Sequence, residues 1–292
     1  MTLEPCAHHG ETPPCAEALA RTGIARVVAS IEDPDPRVSG RGFNRLREAG
    51  VEVRTPLLEQ EAAALNRGFF LRVGERRPLV TLKIATSLDG RIASASGDSR
   101  WITGTEARRF AHLLRATHDA VLVGIETALA DDPVLTCRIP GREQDSPLRV
   151  VLDTRLRLEA RSQLASTTRD VPTLLFTVTE GGSALAECGV EIVKVTRDAR
   201  GRPDIRAVLA ELAARGITRL LVEGGAGVHA SFLDRGYVDR LELFRGPLAL
   251  GASGHPAIDA LAALSLDEAP RFVAAGTQQL GADLLESFEA RH

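Results

Sequence analysis

The 292-residue sequence lacks any apolar run of the roughly 18 residues that a membrane-spanning helix needs, and it lacks a basic segment followed by an apolar one at its start. It also lacks excess positive charge. Its formal net charge of −3 gives no electrostatic case for binding nucleic acid or an anionic membrane. Four cysteines are too few for a disulfide framework and suit a reducing compartment. We expect a cytoplasmic protein.

Lysine is almost absent. Of 36 basic residues, only Lys83 and Lys194 are lysines, so arginine supplies generic positive charge nearly everywhere. A retained lysine therefore points to a site that needs a compact ammonium rather than a planar guanidinium. Lys194 lies in an alternating strand and is predicted to face solvent. Lys83 lies in a strand that leads into Leu88-Asp89-Gly90, which makes it the stronger functional candidate.

The first fifteen residues carry half of a possible zinc site. A zinc-dependent deaminase needs two thiolates, a third ligand and a glutamate that shuttles protons, the last two supplied by a His-x-Glu motif. Cys6 and Cys15 could supply the thiolates. The chain is interpreted as carrying a His-x-Glu nowhere, so that half of the site is expected to be absent. With an incomplete ligand set, we expect zinc to bind weakly.

The chain is predicted to divide at the charged segment 74–78. Before it, we predict a helix that begins after Cys15, strands at 25–31 and 51–54, and helices at 42–49 and 57–73. We expect the apolar strand segment 27–31 to be an exposed edge, because the elements it would pack against are missing.

Beyond residue 78, strands and helices alternate, as is typical of an α/β sheet with parallel strands. Strands are predicted at 79–86, 119–123, 148–152, 172–177, 190–195 and 218–223, and helices at 105–117, 182–188, 204–215 and 226–235. The last three predicted strands, at 238–244, 271–275 and 284–288, have no comparable helices between them. We therefore predict an antiparallel edge.

A glycine-rich turn follows the predicted strand that ends at Glu223. The turn, residues 224–227, leads directly into a helix, and a helix start offers free N–H groups and partial positive charge to a phosphate. This arrangement suits a dinucleotide pyrophosphate, although it is not the Gly-x-Gly-x-x-Gly fingerprint. A tight structural connection is the alternative interpretation.

Two more segments carry candidate binding residues. Trp101, the only tryptophan, lies in a polar loop, where stacking on a flat ligand is more natural than a core position. Thr103 and Glu106 are predicted to form a capping box for the following helix, and Arg115, near the end of that helix, is expected to face solvent. Asp131 follows the next predicted strand, in Asp131-Asp132-Pro133.

Lys83, Asp131 and Glu223 are all interpreted as lying at or after strand ends, where open α/β sheets bind ligands. They are the available acid–base groups for a reaction at a sugar carbon, and the sequence does not say which of them gives the proton.

The segment from Leu3 to Cys15 resembles the second zinc half-motif of the bifunctional riboflavin-biosynthesis deaminase-reductases. The resemblance continues to residue 292 through the segments 83–90, 99–103, 129–133, 150–154 and 222–225. It implies an α/β protein with a dihydrofolate-reductase-like reductase domain at 78–292, preceded by an incomplete, N-terminally truncated cytidine-deaminase-like domain at 1–74. The implied activity is the NADPH-dependent reduction of 5-amino-6-(5-phosphoribosylamino)uracil, a pyrimidine ribosyl phosphate, with deaminase activity lost. A homodimer is also implied.

Carried over by motif, the resemblance assigns most of the candidate residues. It implies cofactor contacts at Ala85, Trp101, Thr127, Asp131, Thr154, Gly225, Ala226, Gly227, Val228, His229, Ala230 and Ser231. It implies substrate contacts at Ser99, Arg115, Leu135, Arg138 and Glu223. Arg155 or Arg157 is a further candidate for the 2′-phosphate of NADPH.

Two alternatives stay open. The chain is either a true short protein or a fragment of an intact bifunctional enzyme whose start was misplaced at an internal methionine. It could also be a catalytically silent nucleotide-binding module, although the presence of Lys83, Asp131 and Glu223 together favours an enzyme.

Overall fold

The computed structural model of the chain describes residues 1–10 and 12–291; Glu11 and His292, which fall within the two predicted domains, lie outside the described residues. The chain forms two compact units, Met1–Arg77 and Pro78–His292. Among the described helices, none combines the length and apolar character that crossing a bilayer requires.

The Met1–Arg77 unit is a small α/β assembly. Its elements are α1 (Cys15–Arg21), β1 (Arg26–Val28), α2 (Arg41–Glu48), β2 (Glu52–Arg54) and α3 (Glu59–Glu75). β1 and β2 pair in parallel, and Ala16, Val27, Leu46 and Val51 form a buried cluster between these elements. α3 continues through Gly74 and Glu75, so the charged segment predicted as a linker is helical in its first two residues.

The prediction of an exposed edge at 27–31 is wrong. One side of the segment pairs with β2, and the N-terminal residues bond along it as well: the Met1 amino group donates to Val28 O over 2.8 Å, and Ser30 N donates to Met1 O over 2.9 Å. Val27 and Ala29 are buried, whereas Val28 is exposed. The sequence pattern could not show that the chain start supplies this cover.

Glu4, within the cysteine-containing motif, has a structural role. Its buried carboxylate accepts hydrogen bonds from the backbone N–H groups of Gly40, Gly42 and Phe43 over 2.8 to 3.1 Å. These groups lie at the start of α2, where a carboxylate is favoured by the free donors and the helix dipole. Gly42 is required because a Cβ there would lie 1.9 Å from Pro5 O.

The Pro78–His292 unit is built on a nine-stranded mixed sheet, in agreement with the predicted α/β class. The described residues of the unit contain eleven strands, of which β4 and β11 lie outside the large sheet. They are β3 (Leu79–Thr86), β4 (Arg91–Ala93), β5 (Ala120–Gly124), β6 (Leu148–Leu152), β7 (Thr173–Thr177), β8 (Glu191–Lys194), β9 (Arg219–Gly224), β10 (Arg240–Arg245), β11 (His255–Pro256), β12 (Phe272–Leu280) and β13 (Asp283–Ala290). Its helices are α4 (Thr105–Ala116), α5 (Ile125–Asp131), α6 (Gln163–Ser166), α7 (Ser183–Glu187), α8 (Ile205–Ala214) and α9 (Ala226–Asp234), with a 3-10 turn at Glu143–Asp145.

The strand order in the large sheet is β12-β13-β10-β3-β9-β5-β6-β7-β8. The seven strands from β10 to β8 are parallel, and β13 pairs antiparallel with both β10 and β12. The predicted antiparallel edge of the last three strands is therefore confirmed, and β10 joins it to the parallel part of the sheet by pairing in parallel with β3. β4 and β11 form a separate two-stranded ladder that the sequence did not reveal.

Two apolar layers cover the sheet. One contains Val121, Val123 and Leu221 from the sheet with Leu114 from α4. The other contains Leu82, Leu122 and Val222 together with residues of α8 and α9. Because central strands such as β5 and β7 are buried on both faces, they read as continuous apolar runs in the sequence.

Candidate active site

Lys83 and Glu223 lie on neighbouring strands at the same level of the sheet. The last paired residues of β3 and β9 are Leu82 and Val222, and Lys83 and Glu223 are the next residue of each strand. Leu82 and Val222 belong to the layer with α8 and α9. Side chains alternate along strands, so Lys83 and Glu223 face the α4 layer.

Glu223 forms a buried, two-point ion pair with Arg115 of α4. Arg115 Nε donates to Glu223 Oε1 over 2.6 Å and Nη2 donates to Oε2 over 2.7 Å, while the side chains are 13% and 8% exposed. The expectation that Arg115 faces solvent is wrong, because α4 packs on the sheet directly over Glu223. Burial alone would raise the pKa of Glu223, but the Arg115 guanidinium and the Lys83 ammonium lower it to about 2.

Lys83, Glu223 and Arg115 form a cluster of three charged side chains, and Lys83 is its unpaired member. Its Nζ lies 5.8 Å from the centre of the Phe244 ring, and in the described part of the chain it has no hydrogen-bond or ion-pair partner. Burial lowers the pKa of Lys83, the nearby positive charge of Arg115 lowers it further, and the Glu223 and Asp131 carboxylates oppose the change. A partly buried ammonium with a lowered pKa is a group that can give up its proton.

The segment after α5 closes one side of the cluster. Thr136 O accepts a hydrogen bond from Arg115 Nη1 over 3.1 Å and interacts with His112 Nδ1 at 3.2 Å. Burial lowers the pKa of His112, as do the charges of Arg115 and then Arg138. Arg138 is exposed and therefore open to a ligand. Leu135 is buried, so only its backbone is available for a substrate contact.

Of the three residues expected at or after strand ends, Asp131 follows β5 and Lys83 lies before the end of its strand. Asp131 is the last residue of α5, and its side chain is 41% exposed. Lys83 lies three residues before the end of β3. β3 extends further than its neighbour β9, which ends at Gly224, so Lys83 still lies at the carboxyl edge of β9.

The glycine-rich turn connects β9 to α9 as predicted. Gly225 is the N-cap residue, with φ 95°, and no side chain caps the helix. A Cβ at Gly224 would lie 3.0 Å from the Thr127 side chain, and a Cβ at Gly225 would lie 3.2 Å from Thr127 Oγ1. Thr127, near the start of α5, is thus adjacent to the free helix start of α9.

The other predicted binding residues differ in accessibility. Those that are partly exposed are the cofactor candidates Ala226, Gly227, Val228, Ala85 and Thr154 and the substrate candidate Ser99. By contrast, His229, Ala230 and Ser231 are buried in α9, which leaves the first turn as the accessible part of the helix. Arg157 is paired with Glu126, whereas Arg155 is exposed.

Trp101 is 67% exposed, which agrees with the prediction that it is not a core residue. The predicted capping box at Thr103 is wrong: the N-cap of α4 is Gly104, without a side-chain cap. The Gly104 N–H instead donates to Asp283 Oδ2 over 2.6 Å. Asp283 lies 179 residues further along the chain, too far for a local motif to reveal.

Cys6 and Cys15 lie together in the Met1–Arg77 unit, where Cys15 N donates to Cys6 Sγ over 3.2 Å. The hydrogen bond between the thiols raises the pKa of Cys15. Over the described ranges, no group of three or more His, Cys, Asp and Glu side chains is arranged to hold a metal ion. One His-x-Glu is present in the sequence: His9-Gly10-Glu11 lies between the cysteines, so the interpretation that the chain lacks the motif altogether is wrong.

Comparisons with known proteins all point to one family, and the matches together cover nearly the whole chain. A family model described as the RibD C-terminal domain matches residues 78–285. The riboflavin biosynthesis protein RibD of Bacillus amyloliquefaciens is 40% identical over 97% of this chain and 76% of its own length. The structure of Acinetobacter baumannii RibD matches with a TM-score of 0.90 at 34% identity, covering 99% of this chain and 80% of that chain.

A further similar structure comes from Thermotoga maritima and is described as a diaminohydroxyphosphoribosylaminopyrimidine deaminase/5-amino-6-(5-phosphoribosylamino)uracil reductase. It has a TM-score of 0.84 at 33% identity, and the match covers 99% of this chain and 78% of that chain.

Proposed function

The chain belongs to the RibD family of riboflavin-biosynthesis reductases, and we propose that its Pro78–His292 unit uses NADPH to reduce 5-amino-6-(5-phosphoribosylamino)uracil to the ribitylamino compound. The observation that carries the proposal is the unpaired ammonium of Lys83 beside the ionised Glu223–Arg115 pair. The cluster occupies the carboxyl edge of the sheet, where α/β proteins bind ligands.

The accessible residues next to this cluster fit a dinucleotide. The uncapped start of α9 offers backbone donors to a pyrophosphate, and Thr127 adds a hydroxyl beside Gly225. Trp101 offers an exposed aromatic surface for a flat ring. When bound, NADPH supplies the hydride for the sugar carbon C1′.

The side chains of the cluster have separate roles. The sugar ring must open so that C1′ forms a double bond to nitrogen, and the ring oxygen then needs a proton. Lys83 gives this proton, because its lowered pKa favours the neutral amine as product. Glu223 remains ionised beside it and holds Arg115. Because Arg115 is occupied, the exposed Arg138 is the arginine available to the substrate phosphate.

The two lysines of the chain allow a matched test. Lys83→Met removes the ammonium and keeps a long apolar stem, so kcat for NADPH oxidation with the ribosylaminouracil should fall about 100-fold or more. Lys194→Met removes an exposed lysine paired with Glu180 and should leave kcat unchanged. Wild-type turnover by Lys83→Met would contradict the assigned role. NADPH binding without any turnover by the unmodified chain would instead favour a silent nucleotide-binding module.

We also propose that the Met1–Arg77 unit alone does not act as a deaminase. Cys6 and Cys15 supply two thiolates, and the described residues provide no group of three ligands. The purified chain should therefore hold no more zinc after dialysis than a Cys15→Ser variant, and it should release no ammonia from the diaminopyrimidine substrate. Stoichiometric zinc in the wild-type chain alone, or ammonia release, would overturn this proposal.

A further inference from the structure

Arg108, which the motifs do not assign, contacts the face of Trp101. Its guanidinium carbon lies 4.5 Å from the centre of the indole ring, within the distance at which a cation is attracted to an aromatic face. The guanidinium is held in place from behind: Nη1 donates to Thr103 O over 2.6 Å and Nη2 donates to Thr105 Oγ1 over 3.1 Å. Arg108 thus connects the indole to the first turn of α4.

The loop that carries Trp101 is fixed at two further points. Asp283, which is 1% exposed, accepts the Gly104 N–H at the start of α4. Gly246 packs so closely on Ile102 that a Cβ would lie 2.0 Å from Ile102 O. These contacts already hold the loop backbone, so the cation stacked on the exposed indole is not needed for that purpose. We interpret it as a contact that sets the orientation of the ring.

Arg100 connects the same indole to the active site. Its guanidinium carbon lies 6.0 Å from the ring centre, and its Nη2 donates to Asp131 O over 2.9 Å. The Asp131 carboxylate in turn opposes the lowering of the Lys83 pKa by burial. Arg100 thus contacts both the indole and the last residue of α5.

We propose that Arg108 is a positioning residue that acts through Trp101, stacking on the indole so that the exposed part of the ring is held in the orientation that receives a flat ring of the bound cofactor. The inference rests on the proposed function, because it takes NADPH as the ligand of Trp101. Arg108 needs its planar fork for this role, since stacking and two hydrogen bonds are made at once.

Trp101 is the only tryptophan, so its fluorescence reports NADPH binding directly. Arg108→Met should raise the NADPH Kd and KM roughly fivefold, the loss expected for one cation–π contact, with kcat at saturating NADPH within about twofold of wild type. Arg108→Lys should recover only part of the affinity. Arg109→Met, which removes the neighbouring exposed arginine, is the matched control and should leave Kd unchanged.

The outcomes separate the two claims. General damage to folding would lower kcat through a smaller active fraction and leave KM unchanged, and that result would overturn the positioning role. An unchanged Kd in Arg108→Met, with normal binding by wild type, would overturn the role of Arg108 alone. Failure of the wild-type chain to bind NADPH would overturn the proposed function and this inference with it.

Discussion

Three charges within a largely buried cluster determine what chemistry the site can perform. Glu223 and Arg115 neutralise each other through two hydrogen bonds, so neither is free to exchange protons near neutral pH. Lys83 lacks such a partner in the described chain and carries the lowered pKa. Removing one member of a buried pair leaves an uncompensated charge, so Glu223→Gln tests stability as well as catalysis.

The lowered pKa of Lys83 predicts the shape of the pH profile. If the ammonium gives the proton, kcat should fall as pH rises through a pKa below the ordinary lysine value of about 10.4. The Glu223 pKa of about 2 means that this carboxyl adds no acidic limb near neutral pH. The kcat profile from neutral to alkaline pH checks this. An alkaline limb at the ordinary lysine value would contradict it.

The same pKa has a consequence for stability. At pH values between the lowered pKa of Lys83 in the folded chain and its ordinary pKa, the unfolded chain binds more protons than the folded chain. The free energy of unfolding should therefore rise with pH in this range. In Lys83→Met this slope should be reduced in the same pH range. Urea unfolding of the two proteins at several pH values measures the difference.

At the scale of elements, the start of α9 has a backbone geometry that favours glycine. Gly225 has φ 95° and borders Thr127, whereas Gly236, just beyond the other end of α9, has φ 66° and open space where a Cβ would project. Both glycines have positive φ, but Gly225, with ψ 131°, lies outside the left-handed helical region, and only Gly225 lies at the candidate cofactor site.

Gly225→Ala and Gly236→Ala therefore form a matched pair. Gly236→Ala should lower the free energy of unfolding by about 1–2 kcal/mol, because alanine is disfavoured at positive φ. Gly225→Ala should lower it by more, because the φ and ψ of Gly225 lie outside the left-handed helical region. Only Gly225→Ala should also weaken NADPH binding, by about tenfold, as followed by Trp101 fluorescence. Equal NADPH affinity in the two variants would show that the α9 start does not bind the cofactor.

Elements with strong local signals were predictable from the sequence. The strands β3, β5, β6, β7 and β9 are buried runs of branched apolar residues, and each lies where the pattern predicts it. β4 and β11 contain only three and two residues, too few for a detectable period. The orientation of β10 depends on pairing with β3, a contact that no local pattern encodes.

The candidate site was predictable as a set of residues but not as a set of contacts. The rarity of lysine identified Lys83, and the glycine-rich turn identified Glu223. The pairing of Glu223 with Arg115 joins residues 108 positions apart, so the sequence favoured solvent exposure for Arg115 instead. Arg108 had no motif to mark it, because its role depends on the folded position of Trp101.

At the scale of the whole molecule, the sheet order explains why one site forms. β9 is inserted between β3 and β5, although it follows both in the chain. This crossover brings Lys83 of β3, Glu223 of β9 and the α5 start after β5 to one edge of the sheet.

The two edge strands of the sheet differ in charge: β8 carries charged residues at both ends, whereas the nine-residue β12 is uncharged and mostly exposed.

The central claim is that this chain transfers hydride from NADPH to C1′ of the ribosylaminouracil. The most direct measurement is to incubate the full chain with the substrate and NADPH carrying deuterium on either face of C4, and to analyse the product by mass spectrometry and NMR. We expect a ribitylamino product with one deuterium at C1′ from one of the two labelled cofactors and none from the other. No reduced product, or deuterium at C2′ instead of C1′, would contradict the account.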